Sequence, residues 1–298
     1  MLRRLKRYVL SGWKRFTRNY TYAFHSFRCD TRMIRFGKFP SSSAPELTRT
    51  QRMFIEWNAE RLQISYADSL ERYLASWRLL PQGHRGMDYR EFCVLSQAIF
   101  NVFCNDNPSE IYDAYKLHAQ LHMLRFLSYN KQNRLENAVL EGLLKRDFIS
   151  ILDYGCGLAH ESFSLAESLK EMGARVMLVL VDIPTLRKDF LIWMSKKLPL
   201  PMEFIDCDRN TPYPTLPSCD VCIATEVFEH THDPVRVFRN INEALAIGGY
   251  LIANIGDHVE EYFHVTPDLA CLRAQVESCG YTRVAPSVFR KQERHAIH

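Results

Sequence analysis

The sequence of 298 residues lacks several segments that would place it in a particular class. It has no run of about 18 apolar residues, so no transmembrane helix is expected. Its N-terminus lacks the uninterrupted apolar stretch of a secretory signal. Its nine cysteines are odd in number and irregularly spaced, which argues against a disulfide framework and for reduced thiols. These features indicate a cytoplasmic protein, and an apolar content of 47% allows a substantial core.

Positive charge is concentrated at one end of the chain. Residues 1–38 contain eleven Lys and Arg against one acid, so they carry +10 and the remaining residues carry −6. Within residues 1–20, apolar side chains recur at steps of three or four between basic ones. This pattern is typical of a helix lying in an anionic membrane interface, which would make the protein peripheral to a membrane. A helix docked on its own domain and an Arg-rich mitochondrial presequence are two further interpretations.

The rest of the chain contains two regions with different hydrophobic patterns. Helical periodicity dominates residues 39–145 after a Pro- and Ser-rich loop, whereas short apolar runs alternate with helical patterns in residues 146–298. This alternation predicts an α/β fold with a doubly wound parallel sheet, whose ligands bind at the C-terminal ends of the strands. The predicted strands are 148–153, 175–182, 202–206, 219–225 and 249–255, and the predicted helices lie near 159–172, 184–197, 234–246 and 266–279.

A glycine turn follows the first predicted strand. The strand ends at Asp153, and Gly155, Cys156 and Gly157 lead into a helix. The two glycines permit positive φ and a close approach of backbone to ligand. A dinucleotide-binding fingerprint would need a small residue where His160 stands, and the phosphate-binding lysine pattern is also absent. S-adenosylmethionine has no phosphate and needs neither feature, and Asp153 can help to neutralise its ammonium group, directly or through water.

Acidic residues end the next two strands. Asp182 closes the second strand, where a carboxylate can accept hydrogen bonds from both ribose hydroxyls. The following Ile183 could pack on adenine, and the alternative is that Asp182 only caps the next helix. After the third strand, Asp208 is the candidate acceptor for the adenine amine, with Asp206 as the alternative.

Together, ILDYGCG, Asp182, DRNTPYP, ATEVFEH and AIGGYLIANI resemble the class I, Rossmann-like S-adenosylmethionine-dependent methyltransferases over residues 146–290. The resemblance implies a mostly parallel seven-stranded sheet with a final antiparallel strand near 287–291. It implies that the N-terminal helical extension covers the site and selects the substrate. Ala159 stands where family members often have a third glycine. The cofactor-binding residues that it implies are Asp153, Gly155, Cys156, Gly157, Asp182, Ile183, Asp208 and Glu226.

Three polar residues follow the fourth strand, beside the expected position of the methyl group. In one interpretation Glu226 lines the cofactor pocket, Glu229 pairs locally and His230 packs. In the other, the three bind a divalent metal, because ExxEH resembles the metal motif of methyltransferases that act on small-RNA 3′ ends or in quinone biosynthesis. His258 or His264 would then be a fourth ligand. The candidate catalytic residues are Glu226, His230 and His264, with the histidines as candidate general bases.

The predicted function is therefore methylation of an oxygen on a small-molecule, glycan or lipid-linked acceptor. The lipid-linked acceptor is motivated by the basic residues 1–20. A metal-dependent RNA methyltransferase is the first alternative, with residues 1–38 contacting phosphates; nucleic acid ranks lower because the rest of the chain offers few basic patches. A non-catalytic subunit that binds the cofactor is the second.

Overall fold

The computed structural model describes residues 47–79, 137–257 and 264–293. The chain divides into two compact units, Met1–Leu47 with Leu80–Phe92, and Thr48–Leu79 with Cys93–His298. All described residues except Leu47 belong to the second unit. The predicted amphipathic helix at residues 1–20, most of the predicted helical region 39–145, and His258 lie outside the described residues. In the described part, no helix has the length and apolar character needed to cross a membrane.

A seven-stranded sheet forms the centre of the second unit. Its strand order is β3-β2-β1-β4-β5-β7-β6, and β7 runs antiparallel to both of its neighbours while the other pairs are parallel. This confirms the predicted α/β class, the seven strands and the antiparallel strand near residue 287. The strands are β1 (Phe148–Tyr154), β2 (Arg175–Asp182), β3 (Met202–Asp206), β4 (Cys219–Ala224), β5 (Leu245–Ala253), β6 (Tyr281–Ala285) and β7 (Val288–Lys291).

Helices connect the strands and cover the sheet. The central strands β1, β2 and β4 are buried along most of their length, as expected for parallel strands with helices on both faces. The sheet therefore brings the C-terminal ends of β1, β2 and β4 to one edge, where the predicted site lies. The helices are α1 (Arg49–Leu62), α2 (Tyr66–Leu79), α3 (Asn137–Leu143), α4 (His160–Glu171), α5 (Leu186–Lys197), α6 (Pro234–Ala244) and α7 (Ala270–Ser278).

The structure corrects the predicted boundary between the third predicted helix and the fifth strand. Helix α6 ends at Ala244 rather than at residue 246, and β5 begins at Leu245 rather than at 249. The register between β4 and β5 shifts after Cys219, and Gly248 has a φ of 76°. A Cβ on Gly249 would lie 2.7 Å from the carbonyl oxygen of Asp220. The glycine pair that looked like the start of the strand is thus an irregularity within it.

Aromatic side chains attach α1 to the helix that follows β2. Helix α1 begins with a capping box formed by Thr48 and Gln51. Its buried Phe54 and Trp57 have ring centroids 5.6 and 5.4 Å from that of Phe190 on α5, which is fully buried. This part of the predicted N-terminal helical region therefore belongs to the same compact unit as the sheet.

Candidate cofactor and catalytic site

The carboxylate of Asp153 is buried and held by the first turn of α4. Asp153 is 5% exposed at the end of β1, and the Ser162 hydroxyl donates a hydrogen bond to its Oδ2 at 2.5 Å. Ser162 is itself fully buried. A fixed carboxylate therefore lies at the start of the glycine turn, where the sequence predicts a partner for the ammonium group.

The glycine turn packs between β2 and the segment after β4. The amides of Gly155 and Cys156 donate to the Val181 carbonyl oxygen at 2.7 and 3.2 Å. Gly155 and Gly157 have φ values of 69° and 57°, as predicted. A Cβ on Gly155 would lie 2.6 Å from Cγ2 of Val227, so only glycine fits there. Burial strongly raises the pKa of the Cys156 thiol, so it remains a neutral packing group.

Asp182 binds the glycine turn directly. Its Oδ2 accepts a hydrogen bond from the Gly157 amide and its Oδ1 accepts one from the Ile183 amide, both at 2.7 Å. It does not cap α5, because the N-cap of that helix is Thr185, whose hydroxyl accepts from the Arg187 amide. A carboxylate can accept about four hydrogen bonds, so two backbone contacts orient it and leave acceptor capacity for a diol.

The structure distinguishes between the two acids near the end of β3. Asp206 is exposed and accepts from the Lys188 ammonium at 2.6 and 2.8 Å. Asp208 lies one turn further on, where its Oδ1 accepts from the amides of Asn210 and Thr211. Its backbone is tied to the pocket, because the preceding Cys207 amide donates to the Asp182 carbonyl oxygen at 2.9 Å. Asp208 stays the predicted acceptor for the adenine amine, with Asp206 as the alternative.

Glu226 is not part of the cluster that contains Glu229 and His230, although one of the two interpretations of the sequence grouped the three as metal ligands. Glu226 is exposed and adopts a left-handed backbone conformation with a φ of 57°, which costs about 1–3 kcal/mol in a non-glycine residue. Its carboxylate accepts a hydrogen bond from the Asn254 amide at the end of β5. Strain of this kind is concentrated at functional sites.

Three other side chains meet beside β4. One potential ligand atom from each of Glu229, His230 and His264 lies within 4.8 Å of the other two. Glu229 is fully buried, and its Oε1 lies 3.8 Å from Nε2 of His230. The rings of His230 and His264 are arranged edge to face, with centroids 4.9 Å apart. This cluster contains two of the three predicted metal ligands and replaces the third, Glu226, with His264.

Backbone hydrogen bonds hold the second histidine in the cluster. The amides of Val265 and Thr266 both donate to the carbonyl oxygen of Glu229, at 2.8 and 3.0 Å. The Thr266 hydroxyl donates to the carbonyl oxygen of Thr231 at 2.7 Å. The chain after β5 is thereby fixed against the 3₁₀ turn Phe228–His230 that follows β4.

Sequence reasoning missed several polar residues of the site. Ser162 supports Asp153, Asn254 binds Glu226, and the hydroxyl of Thr225 donates to the buried Glu161 at 3.3 Å. Arg187 lies with its Nη2 3.8 Å from Oδ2 of Asp182. A pattern read along the chain contains no signal for these residues, because each acts on a partner in another element.

The family comparison agrees with this geometry. Residues 145–282 match the family model described as a methyltransferase domain. This segment is similar to the class I S-adenosylmethionine-dependent methyltransferases. The match supports an enzyme that transfers a methyl group and uses S-adenosylmethionine as its cofactor. No curated protein sequence matches the chain.

Solved structures with similar folds are more distant. The [4+2]-cyclase SpnF is 15% identical with a TM-score of 0.43, covering 60% of this chain and 74% of its own. A candidate class I S-adenosylmethionine-dependent methyltransferase from Listeria monocytogenes is 17% identical with a TM-score of 0.43, covering 83% and 89%. TehB from Haemophilus influenzae is 18% identical with a TM-score of 0.38, covering 52% and 54%, so the chain spans about half of TehB. These similarities carry no conclusion about the acceptor.

Proposed function

We propose that this methyltransferase domain methylates an oxygen atom of a small-molecule acceptor. The observation that carries the proposal is the pair of imidazoles, His230 and His264, beside the C-terminal end of β4. An acceptor hydroxyl must lose its proton as its oxygen bonds to the methyl carbon, and histidine is the side chain best suited to take a proton near neutral pH. The buried carboxylate of Glu229 beside His230 would stabilise the imidazolium that results.

The walls of the cofactor pocket support the same reaction. S-adenosylmethionine supplies the electrophilic methyl carbon, and its C–S bond electrons leave with the sulfur. Asp182 would accept the ribose hydroxyls, Ile183 and Asp208 would contact the adenine, and Asp153 would face the ammonium group. Because these groups are fixed by backbone and side-chain contacts, the domain would act mainly by holding the two reactants in line.

Turnover by the full chain tests the assignment of the base. The protein would be incubated with S-adenosylmethionine and a panel of phenols, catechols, carboxylic acids and sugars, and release of S-adenosylhomocysteine would be measured. We expect His230→Gln or His264→Gln to lower kcat about 100-fold with little change in the KM for S-adenosylmethionine. His232→Gln is the matched control, because His232 is exposed and lies outside the cluster.

The pH profile provides an independent readout. A histidine base accepts a proton only when it is neutral, so we expect the wild-type rate to fall as the pH is lowered and the imidazole becomes protonated. If His230→Gln and His264→Gln both keep the wild-type kcat, neither histidine acts as the base. Failure of the wild type to bind S-adenosylmethionine in calorimetry would overturn the methyltransferase function itself.

A metal-assisted reaction is a second candidate, and the same cluster favours it. Two imidazole nitrogens and a carboxylate oxygen within 4.8 Å of one another fit one divalent cation after a small closure. Glu229, His230 and His264 would hold it, and it would orient the acceptor oxygen and lower its pKa. This donor set suits Mn²⁺, Fe²⁺, Co²⁺ or Zn²⁺ better than Mg²⁺, which prefers oxygen ligands.

Chelation separates the two candidates. An imidazole nitrogen that binds a metal cannot also take a proton, so activity that survives EDTA supports the base. If a metal binds the cluster, calorimetry with Mn²⁺ on the EDTA-treated full chain should show one binding site. His264→Ala should remove this site, and His232→Ala should leave it intact. Activity and Mn²⁺ binding that are both unaffected by His264→Ala would exclude this metal site.

Association with an anionic membrane remains a proposal from the sequence of residues 1–20, which lie outside the described residues. Their basic, amphipathic pattern supports a lipid-linked acceptor and a peripheral location. We expect the full chain to sediment with vesicles containing phosphatidylserine at low salt, and a chain lacking residues 1–20 to stay in solution. Equal partitioning of the two would remove the membrane-bound acceptor from consideration.

A further inference from the structure

Arg187 occupies a position that helix stability does not explain. It lies in the first turn of α5, where a cation faces the positive end of the helix dipole. Only 13% of its side chain is exposed, so the charge is held in the protein rather than directed into water. The guanidinium therefore lies against the protein, next to groups assigned to the cofactor site.

The guanidinium lies beside two parts of the predicted cofactor site, Asp182 and the glycine turn. Its Nη2 is 3.8 Å from Oδ2 of Asp182, whose side chain is 12% exposed. Its Nη1 lies 3.4 Å from the position that a Cβ on Gly157 would take, so it also contacts the glycine turn. Arg187 thus adjoins both the carboxylate assigned to the ribose and the backbone that this carboxylate binds.

The contact with Asp182 is too long for a hydrogen bond. The carboxylate is already oriented by the amides of Gly157 and Ile183 at 2.7 Å, so a further orienting contact is not required. Arginine carries five N–H donors in a planar fork, so it can face a carboxylate and donate to a ligand at the same time.

Ribose hydroxyls need both kinds of partner. Each hydroxyl donates one proton and can accept through two lone pairs on its oxygen, so a carboxylate alone satisfies only the donor. We propose that Arg187 is a cofactor-binding residue that donates to the ribose oxygens whose protons Asp182 accepts. Arg187 and Asp182 then form a clamp for a vicinal diol, and this inference rests on the cofactor site proposed above.

Binding of S-adenosylhomocysteine to the full chain tests the clamp. This product is the suitable ligand because its sulfur is neutral, which removes repulsion between a sulfonium and the guanidinium. We expect Arg187→Met to weaken binding about 10- to 100-fold, the usual range for a hydrogen bond from a charged group. The affinity of Arg187→Lys should lie between those of the wild type and Arg187→Met, since lysine keeps the positive charge but lacks the planar set of N–H donors of arginine.

A matched control is the next residue of the same helix. Lys188 is paired with the exposed Asp206, so Lys188→Met removes a neighbouring cation without touching the pocket. We expect it to change the affinity by less than about threefold, the scale of a surface ion pair. Melting temperatures of all variants would show whether Arg187→Met alters folding instead.

Two comparisons separate direct contact from an effect through Asp182. With the 2′-deoxy or 3′-deoxy analogue, the loss caused by Arg187→Met should shrink for the analogue that lacks the contacted hydroxyl. In an Asp182→Ala background, Arg187→Met should still weaken binding. Any of three results would overturn the clamp. These are an equal loss of affinity on Arg187→Met for all three ligands, no further loss in the Asp182→Ala background, and wild-type affinity of Arg187→Met for S-adenosylhomocysteine. If wild type binds and only these comparisons fail, the cofactor site itself stands.

Discussion

At the residue scale, the end of the glycine turn contains an alanine in a backbone conformation that favours glycine. Ala159 has a φ of 56° and a ψ of 30° and precedes the first turn of α4. It is almost fully buried, so its conformation is fixed by the surrounding packing. A left-handed conformation costs an L-residue roughly 1–2 kcal/mol relative to its right-handed form.

Ala159→Gly should therefore stabilise the domain. We expect a gain of about 0.5–1 kcal/mol, because relief of backbone strain is partly offset by the greater freedom of glycine in the unfolded chain. Urea denaturation of the full chain would measure it, with affinity for S-adenosylhomocysteine as a check on the pocket. A destabilised variant would mean that the lost methyl contact outweighs the strain.

Gly155→Ala should do the opposite, for two separate reasons. The new Cβ would clash with Val227, and φ at this position is 69°. We expect a loss of about 2–5 kcal/mol, combining the clash with the backbone cost. Gly173→Ala is the control, since φ is 92° there but no atom lies within 4 Å of the added Cβ.

The clash can be isolated with a second substitution. Adding Val227→Ala to Gly155→Ala should recover part of the lost unfolding free energy, whereas adding it to Gly173→Ala should not. If both glycine variants lose the same free energy, the contact with Val227 has no energetic weight.

At the element scale, helices α1 and α5 meet through aromatic rings from distant parts of the chain. Phe190→Ala should cost about 3–5 kcal/mol, because it leaves a cavity between Phe54 and Trp57. Ile192→Ala on the same helix is the control, since that side chain is 39% exposed and should cost under about 1 kcal/mol. Equal denaturation midpoints for the two variants would show that α1 contributes little to stability.

The bounds of the strands show how well local sequence patterns predict secondary structure. Strands β1, β2 and β3 lie within one residue of their predicted bounds, since each apolar run is followed by a strong turn or helix signal. The start of β5 was wrong because two glycines resemble a boundary when read locally. Only pairing with β4 across a register shift makes the preceding residues part of the strand.

At the scale of the whole molecule, the cofactor should stabilise the folded state, because it binds a pocket that the unfolded chain lacks. A ligand at 100 times its Kd adds about 2.7 kcal/mol. We expect saturating S-adenosylhomocysteine to raise Tm by several degrees in the wild type and by much less in Asp182→Ala. Differential scanning fluorimetry would measure both, with each variant compared with its own ligand-free Tm. An equal rise in the two would remove Asp182 from the cofactor site.

The sequence by itself determined the order of the first five strands and of the helices between them, the glycine turn, and the acids at the ends of β1 and β2. These features depend on periodicity, turn residues and strand ends, which are written within short stretches of chain. The tertiary structure decided which side chains meet: His264 rather than Glu226 joins Glu229 and His230, and Arg187 reaches Asp182 and the glycine turn. Such contacts depend on how separate elements pack and on local backbone conformation, including the strained φ of Glu226, and no pattern along the chain encodes them.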